Sequence, residues 1–177
     1  MILEVLDFMV KFLIDSNSFI SAYRNFYACD IVAAYWKKLS EHIQTKEIVL
    51  LDMVKSELEN GNDSLPEWVN NQNFEICSHI SPRVINNYSN VMNYIQTCGF
   101  YNDKGLASWA RNEVADPWLV AAAMEYGYII VTFERGDRNL TTRNKVGKVK
   151  IPDVASHFNV ICIDLYDMMR RLKMNIQ

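Results

Sequence analysis

Short apolar segments alternate along this chain with longer segments in which the apolar residues follow helical spacing. Four of the apolar segments are short and bounded by polar residues, which is typical of buried strands. They are Lys11 to Ile14, Glu47 to Leu51, Tyr128 to Thr132 and Val160 to Ile163. Because strands alternate with helices, the pattern predicts an α/β fold with a parallel sheet covered on both faces.

Helix start and stop signals fill the intervals between these strands. Asp30 is the predicted N-cap of a helix in which Val32, Trp36, Leu39 and Ile43 line one face. Further predicted helices are Met53 to Asn60, Ser81-Pro82 to Gly99, residues 103–112, Asp116-Pro117 to Gly127, a short one from Pro152, and Asp164 to Lys173. The segment from Pro66 to Asn73 is predicted to be a surface connection, and Arg135 to Lys150 a polar loop.

Length and composition indicate one globular domain. The chain has 177 residues, of which 50% are hydrophobic and 22% charged. We expect a single domain at residues 11–177 and an N-terminal extension at residues 1–10, of which residues 1–8 are expected to be dispensable. Four scattered cysteines and no secretory signal pattern predict reduced thiols and a cytoplasmic location. No apolar run is long enough for a membrane span, so no membrane association is expected.

Four acidic residues stand where such a fold would bring strand ends together. Asp15 and Glu134 directly follow apolar strands, and Asp116 opens a helix. Glu57 lies about one turn into the helix after the second strand, at the edge of its buried face. Ligands of parallel sheets bind beyond the carboxyl ends of the strands. The sequence therefore predicts a site formed by these carboxylates.

Each acid also has an ordinary structural explanation. Asp15 could belong to a turn between strand and helix. Asp116 before proline is typical of a helix N-cap. Glu57 could be a solvated helix residue. Glu134 could be a loop acid, and Asp137 competes with it for a place in the site.

The four together predict a metal ion. If the carboxyl groups lie about 5 Å apart, each pair repels by about 3 kcal/mol at an effective dielectric constant of about 20. That energy corresponds to more than about two pKa units per pair. Four carboxyl groups could therefore stay ionised together at neutral pH only if a cation were bound. Oxygen-only ligands favour Mg²⁺ or Mn²⁺ over zinc.

In order and context, these acids resemble the four acidic positions of PIN-domain ribonucleases, including VapC-like toxins. The matching segments are Asp15-Ser16-Asn17, Val54-x-x-Glu57-Leu58, Ala115-Asp116-Pro117-Trp118-Leu119 and Thr132-x-Glu134. The fourth position departs from the family, in which aspartate is common. The resemblance implies a three-layer α/β/α sandwich with a central parallel sheet of four to five strands. It further implies metal-dependent RNA hydrolysis by the four acids, an antitoxin protein as partner, and a homodimer.

The polar loop adds positive charge beside the predicted site. Residues 135–150 hold six cationic residues and one aspartate, a net charge of +5 in a chain whose total is −3. Arg138, Arg143 and Lys145 could hold a phosphate backbone without reading its sequence, or the loop could simply be solvated. Asn17 could contact the substrate or cap the first helix.

Other function classes fit the sequence less well. With six glycines and no G-x-G-x-x-G or Walker segment, a nucleotide-binding Rossmann protein is disfavoured. The G-x-S-x-G segment of serine hydrolases is absent as well. Two alternatives stay open: a PIN-fold binding or regulatory module without catalysis, and a related DNA nuclease.

Overall fold

The structure, a computed structural model, describes residues 10–176. All but the last residue of the predicted N-terminal extension therefore lies outside the described residues. The strands are β1 (Phe12–Ile14), β2 (Ile48–Leu51), β3 (Glu75–Cys77), β4 (Ile129–Val131) and β5 (Cys162–Ile163). The helices are α1 (Ser16–Ser21), α2 (Ala33–Gln44), α3 (Asp52–Glu59), α4 (Leu65–Asn70), α5 (Pro82–Thr97), α6 (Asp103–Trp109), α7 (Asp116–Tyr126), α8 (Ile151–His157) and α9 (Leu165–Arg171), with a π-helical turn at Ala22–Phe26.

The five strands form one parallel sheet in the order β3-β2-β1-β4-β5. β1 is central, and its Phe12 is paired with Ile48 of β2 on one side and Ile129 of β4 on the other. Helices flank the sheet, which confirms the predicted α/β/α sandwich with a central parallel sheet of four to five strands. Every residue of β1, β2 and β4 is buried, as the short apolar segments predicted.

Crossovers between parallel strands are almost always right-handed, so the strand order puts the helices between β1 and β3 on one face of the sheet and α5 to α8 on the other. α7 packs against α5, α8, β2 and β4. Its residues Leu119 to Ala123 are all buried for this reason, so it lacks the one-sided pattern of a surface helix. No helix within residues 10–176 has the length and apolarity needed to cross a bilayer.

One strand was not predicted, and one local prediction is wrong. The segment after Asn73, for which no element was predicted, contains the edge strand β3, in which Ile76 is 41% exposed, so its apolar pattern is weak. α2 begins at Ala33 with Val32 at the N-cap position, while Asp30 lies in the preceding turn. The π-helical turn just before it also had no local signal.

The direction of winding reverses between β1 and β4. From β1 the chain proceeds to β2 and β3 on one side, whereas β4 and β5 lie on the other. Such a reversal opens a crevice at the carboxyl ends of the two central strands, which is where open α/β sheets bind ligands. Asp15 and Thr132 are the residues that follow β1 and β4.

Candidate active site

The carboxyl end of β1 buries an aspartate. Asp15 is 2% exposed, and its backbone N–H donates to the Val131 carbonyl at 3.0 Å. Thr132 Oγ1 donates to Asp15 Oδ2 at 3.0 Å. Burial raises the pKa of Asp15 to about 6, although the Thr132 hydroxyl and the Asn17 backbone N–H act in the opposite direction. Because the Asp15 carboxylate is buried and has a raised pKa, it is not an ordinary residue of an exposed turn.

Asp116 is the first residue of α7 and does not cap it. Ala115 occupies the N-cap position, and no side chain caps the helix. The alternative capping role for Asp116 is therefore excluded. Burial raises the pKa of Asp116 to about 7, and the negative charges of Asp15, Glu134 and Glu57 contribute to the rise. The four acids thus interact across four separate segments of the chain.

Glu57 faces this group from α3. The residue is exposed by surface area, yet protein atoms around its carboxylate desolvate it and raise its pKa. The Ser16 side chain opposes the rise. Because Ser16 directly follows Asp15, Glu57 of α3 lies near the end of β1.

Glu134 is the fourth member of the group, and Asp137 is not. The Glu134 charge acts on both Asp15 and Asp116, and its Oε2 accepts a hydrogen bond from the Ile151 N–H at 2.9 Å. Asp137 instead donates its N–H to Asp153 at 2.9 Å. Of the two acids that the sequence left open, Glu134 is therefore the one whose charge acts on Asp15 and Asp116, and its role in the site stays a prediction.

Thr132 connects two of the acids through one hydroxyl group. Its Oγ1 donates to Asp15 and accepts from the Glu134 backbone N–H at 3.1 Å. The same atom thus fixes the Asp15 carboxylate and the start of the loop that carries Glu134.

The donor set fits a hard divalent cation. All four groups are carboxylates, and their mutual repulsion helps to raise the pKa values of Asp15 and Asp116. Between residues 10 and 176, no three histidine, cysteine or acidic side chains lie close enough together to hold one ion directly. Mg²⁺ normally keeps several waters and uses only one or two carboxylates. An open group of this kind therefore suits a hydrated Mg²⁺ or Mn²⁺ ion.

A cation from the polar loop lies beside these acids. Lys148 lines a hollow of about 260 Å³ together with Asp116, Glu134, Trp109 and Arg111. The charge of Lys148 lowers the pKa of Asp116, against the larger effect of burial. This hollow is open to solvent and combines two carboxylates with two cationic groups.

The predicted substrate residues Asn17, Arg138, Arg143 and Lys145 are placed differently. Arg138 lines a second hollow of about 870 Å³ with Arg135 and Lys150. Arg143 and Lys145 are exposed on the loop, and no described contact links them to the acids. Asn17 is exposed within α1, whose N-cap is Asp15, so its alternative capping role is excluded.

Three residues with a clear place in the site were not selected from the sequence: Ser16, Thr132 and Lys148. Ser16 and Thr132 belong to the segments that carry the PIN resemblance, but small hydroxyl residues at strand ends are common and gave no separate signal. Lys148 was one of six loop cations. Only the fold shows that it approaches Asp116.

The sequence matches a family model described as a domain of unknown function, DUF4411, over residues 12–176. No curated protein matches it. Among solved structures, it is similar to a chain of VapBC2 from Rickettsia felis bound to a DNA fragment from their promoter, with a TM-score of 0.53 and 14% identity. The match covers 88% of this chain and 98% of that one. At this identity the likeness establishes a shared, PIN-like fold.

Proposed function

The chain belongs to the DUF4411 family, and we propose that it is a metal-dependent endoribonuclease that hydrolyses phosphodiester bonds of RNA. Mg²⁺ or Mn²⁺ is the proposed cofactor. The protein would act in the cytoplasm as the toxin of a toxin–antitoxin pair.

One observation carries this proposal: Asp15, Glu57, Asp116 and Glu134 act on one another at the reversal point of the sheet. Two of them have pKa values of about 6 and about 7. Holding carboxylates together in this way costs folding free energy at neutral pH, and a bound cation offsets that cost. Binding a divalent cation is therefore the function that best explains the arrangement, and phosphodiester hydrolysis is a common use of such sites.

The roles of the residues follow from their positions. Asp15 and Asp116 would hold the ion, and Glu57 and Glu134 would complete its surroundings directly or through water. When bound, the ion would lower the pKa of a water molecule and offset negative charge on the leaving oxygen. Thr132 keeps the Asp15 carboxylate in one orientation. Lys148, next to Asp116, would attract the phosphate of the substrate and offset part of its charge.

Thr132→Val is expected to lower the rate of RNA cleavage by about 10- to 100-fold, as is typical when a group that orients a metal ligand is removed. The valine keeps the shape of the side chain but neither donates to Asp15 nor accepts from the Glu134 N–H. Thr141→Val, in the exposed part of the loop, is the matched control. Equal rates for the two variants in a gel assay would rule out the orienting role of Thr132.

The polar loop is expected to hold the RNA backbone. Replacing Lys148 or Arg138 by glutamine should reduce the slope of log Kd against log salt by about 0.7 per lost phosphate contact to a single strand. Lys37→Gln on α2 is the control, because Lys37 is also exposed but belongs to another part of the surface. Combined neutralisation of Arg138, Arg143 and Lys145 should lower the slope further if all three contact the substrate. An unchanged slope would remove the loop from the substrate site.

The proposed partners are an antitoxin protein and a second copy of the chain. Both proposals rest on the resemblance to PIN-domain toxins, and the similar solved structure is of VapBC2. Co-expression with the product of a short adjacent gene, followed by size-exclusion chromatography with light scattering, tests the first. The same measurement on the chain alone tests the second.

The decisive experiment is a cleavage assay on single-stranded RNA, with single-stranded DNA of the same sequence in parallel. Mg²⁺, Mn²⁺ and EDTA are compared for the wild type and for Asp15→Asn. We expect cleavage of RNA that requires the metal ion and is lost in the variant. Preference for DNA would favour a related DNA nuclease. No cleavage of either strand would favour a binding module without catalysis.

A further inference from the structure

Three aromatic side chains meet beside Glu134. Phe26 ends the π-helical turn, Phe133 follows Thr132, and Tyr166 belongs to helix α9. We call these three residues the aromatic rim. Their ring centroids are separated by 5.4 Å for Phe26 and Phe133, 6.2 Å for Phe26 and Tyr166, and 5.9 Å for Phe133 and Tyr166. Each ring thus contacts both of the others, and together they form one continuous surface.

Much of this surface remains open to solvent. Phe26 is 47% exposed and Tyr166 is 36% exposed. Phe26 owes its position to the π-helical turn, which is closed by a hydrogen bond of 2.6 Å from the Tyr27 N–H to the Ala22 carbonyl. Turns of this kind are rare and often occur at functional sites. The fold therefore presents an aromatic surface to solvent next to Glu134.

The aromatic rim shares a cavity with the carboxylate group. A cavity of about 330 Å³ is lined by Phe133 and Tyr166 together with Thr132, Glu134 and Arg135. Whatever occupies this cavity lies directly beside Glu134. A ligand there would be next to the bond that the carboxylates and their metal ion are proposed to cleave.

The charges that line the cavity disfavour a phosphate group as its occupant. Glu134, Asp164 and Asp167 contribute three carboxylates, whereas Arg135 is the cation of the lining. The neighbouring hollow shares Arg135 and Asp164 with this cavity and adds Arg138, Lys150 and Asp137, so its lining has three cations and two carboxylates. The nucleotide backbone therefore fits the basic hollow, and an uncharged aromatic ring fits the cavity at the rim.

We infer that the aromatic rim stacks against an unpaired nucleobase of the substrate strand, adjacent to the cleaved phosphodiester. The inference rests on the proposed function and adds to it a base-binding subsite. Proteins that bind single-stranded RNA use exposed Phe and Tyr rings in this way, because every base offers a flat face. The subsite would set the position of the strand relative to the metal site and would require that the base be unpaired.

The test uses fluorescein-labelled RNAs in which one abasic ribose is moved along the sequence. Binding is measured by anisotropy with Mg²⁺ present, in an Asp15→Asn background that prevents cleavage. We expect one position at which loss of the base weakens binding by about 10-fold. Phe26→Leu and Tyr166→Leu should weaken binding of the intact RNA to a similar extent. In these variants, an abasic ribose at the same position should lower the affinity little further.

Two controls separate stacking from effects on folding. Tyr126→Leu removes a tyrosine of similar exposure (41%) that is stacked on Tyr128. Tyr126 ends α7, whereas Asp116 begins it, so this variant should leave all affinities unchanged. Tyr166→Phe keeps the ring and should retain the full dependence on the base. The subsite would be overturned if the losses of affinity caused by the abasic ribose and by the rim variants simply added at every position. It would also be overturned if neither change altered the affinity for RNA.

Failure of the proposed function gives a different result. If the wild type cleaves RNA but the abasic series shows no coupling to the rim, the subsite is wrong and the nuclease assignment stands. If the coupling is found and the wild type never cleaves RNA with Mg²⁺ or Mn²⁺, the base-binding subsite exists in a protein that is not a nuclease.

Discussion

Replacing Asp116 with asparagine is expected to lower the rate of RNA cleavage by at least about 1,000-fold, since metal ions contribute several kcal/mol to such reactions. The same change should stabilise the metal-free protein. The folded state raises the pKa of Asp116 from 3.8 to about 7, so its ionisation at pH 8 opposes folding. The neutral amide removes this cost, and we expect the free energy of unfolding to rise by about 2 to 4 kcal/mol.

Asp103→Asn is the matched control for this prediction. Asp103 also lies in the first turn of a helix, α6, but is exposed and outside the carboxylate group. Denaturant unfolding in EDTA measures the change in stability. The gain in Asp116→Asn should be present at pH 8, be mostly lost near pH 4 and vanish below about pH 3, where the aspartate is protonated in both states. A variant that is less stable than the wild type at pH 8 would show that Asp116 is a structural residue.

The second large effect concerns pH and metal together. In the folded protein Asp15 and Asp116 have pKa values of about 6 and about 7, above their ordinary value of 3.8. The folded state therefore binds more protons than the unfolded state between these limits. Binding of these additional protons stabilises the folded state. This contribution to the free energy of unfolding is fully present below about pH 4 and is lost as the pH rises through about 6 to 7. Without metal, the protein should become less stable over this range.

Magnesium should reverse this loss, because it replaces the protons that the carboxylates release. At about 100 times its Kd, Mg²⁺ is expected to raise Tm by about 5 to 10 °C at pH 8. At pH 5 it should have little effect, since protons and the ion compete for the same oxygens. Thermal unfolding with Mg²⁺, EDTA or NaCl of equal ionic strength measures the shift. A shift that persists in an Asp15→Asn/Asp116→Asn variant would place the ion elsewhere.

Those parts of the fold that depend on local pattern could be predicted from the sequence. β1 and β2 were placed to within one residue, because short runs of fully buried apolar residues leave few alternatives. The start of α5 was predicted from Ser81-Pro82, and Ser81 does accept a hydrogen bond from the Val84 N–H. The expectation that Asp15 and Glu134 share one edge of the sheet also follows from such local positions, since parallel strands end together.

Features that depend on distant contacts could not be predicted. Thr132 and Asp15 are 117 positions apart, and nothing near either residue reveals their hydrogen bond. β3 is an edge strand in which Glu75 pairs with Lys11 at 2.7 Å, so part of its stability comes from a residue 64 positions away. The Asp137 N–H donates at 2.9 Å to Asp153, a residue of α8 that lies 16 positions along the chain. In each case the deciding partner lies on another element.

The polar loop is closed at its base by its own ends. The Ile151 N–H donates to Glu134 Oε2 at 2.9 Å, and Lys150 Nζ donates to the Arg135 carbonyl at 2.9 Å. These two hydrogen bonds fix the ends of the loop, whatever its length. Surface loops also accept insertions at little thermodynamic cost. Residues inside the loop can therefore be added or exchanged while the position of Glu134 is preserved, so on the proposed function the substrate contacts can change without any change in the carboxylate group.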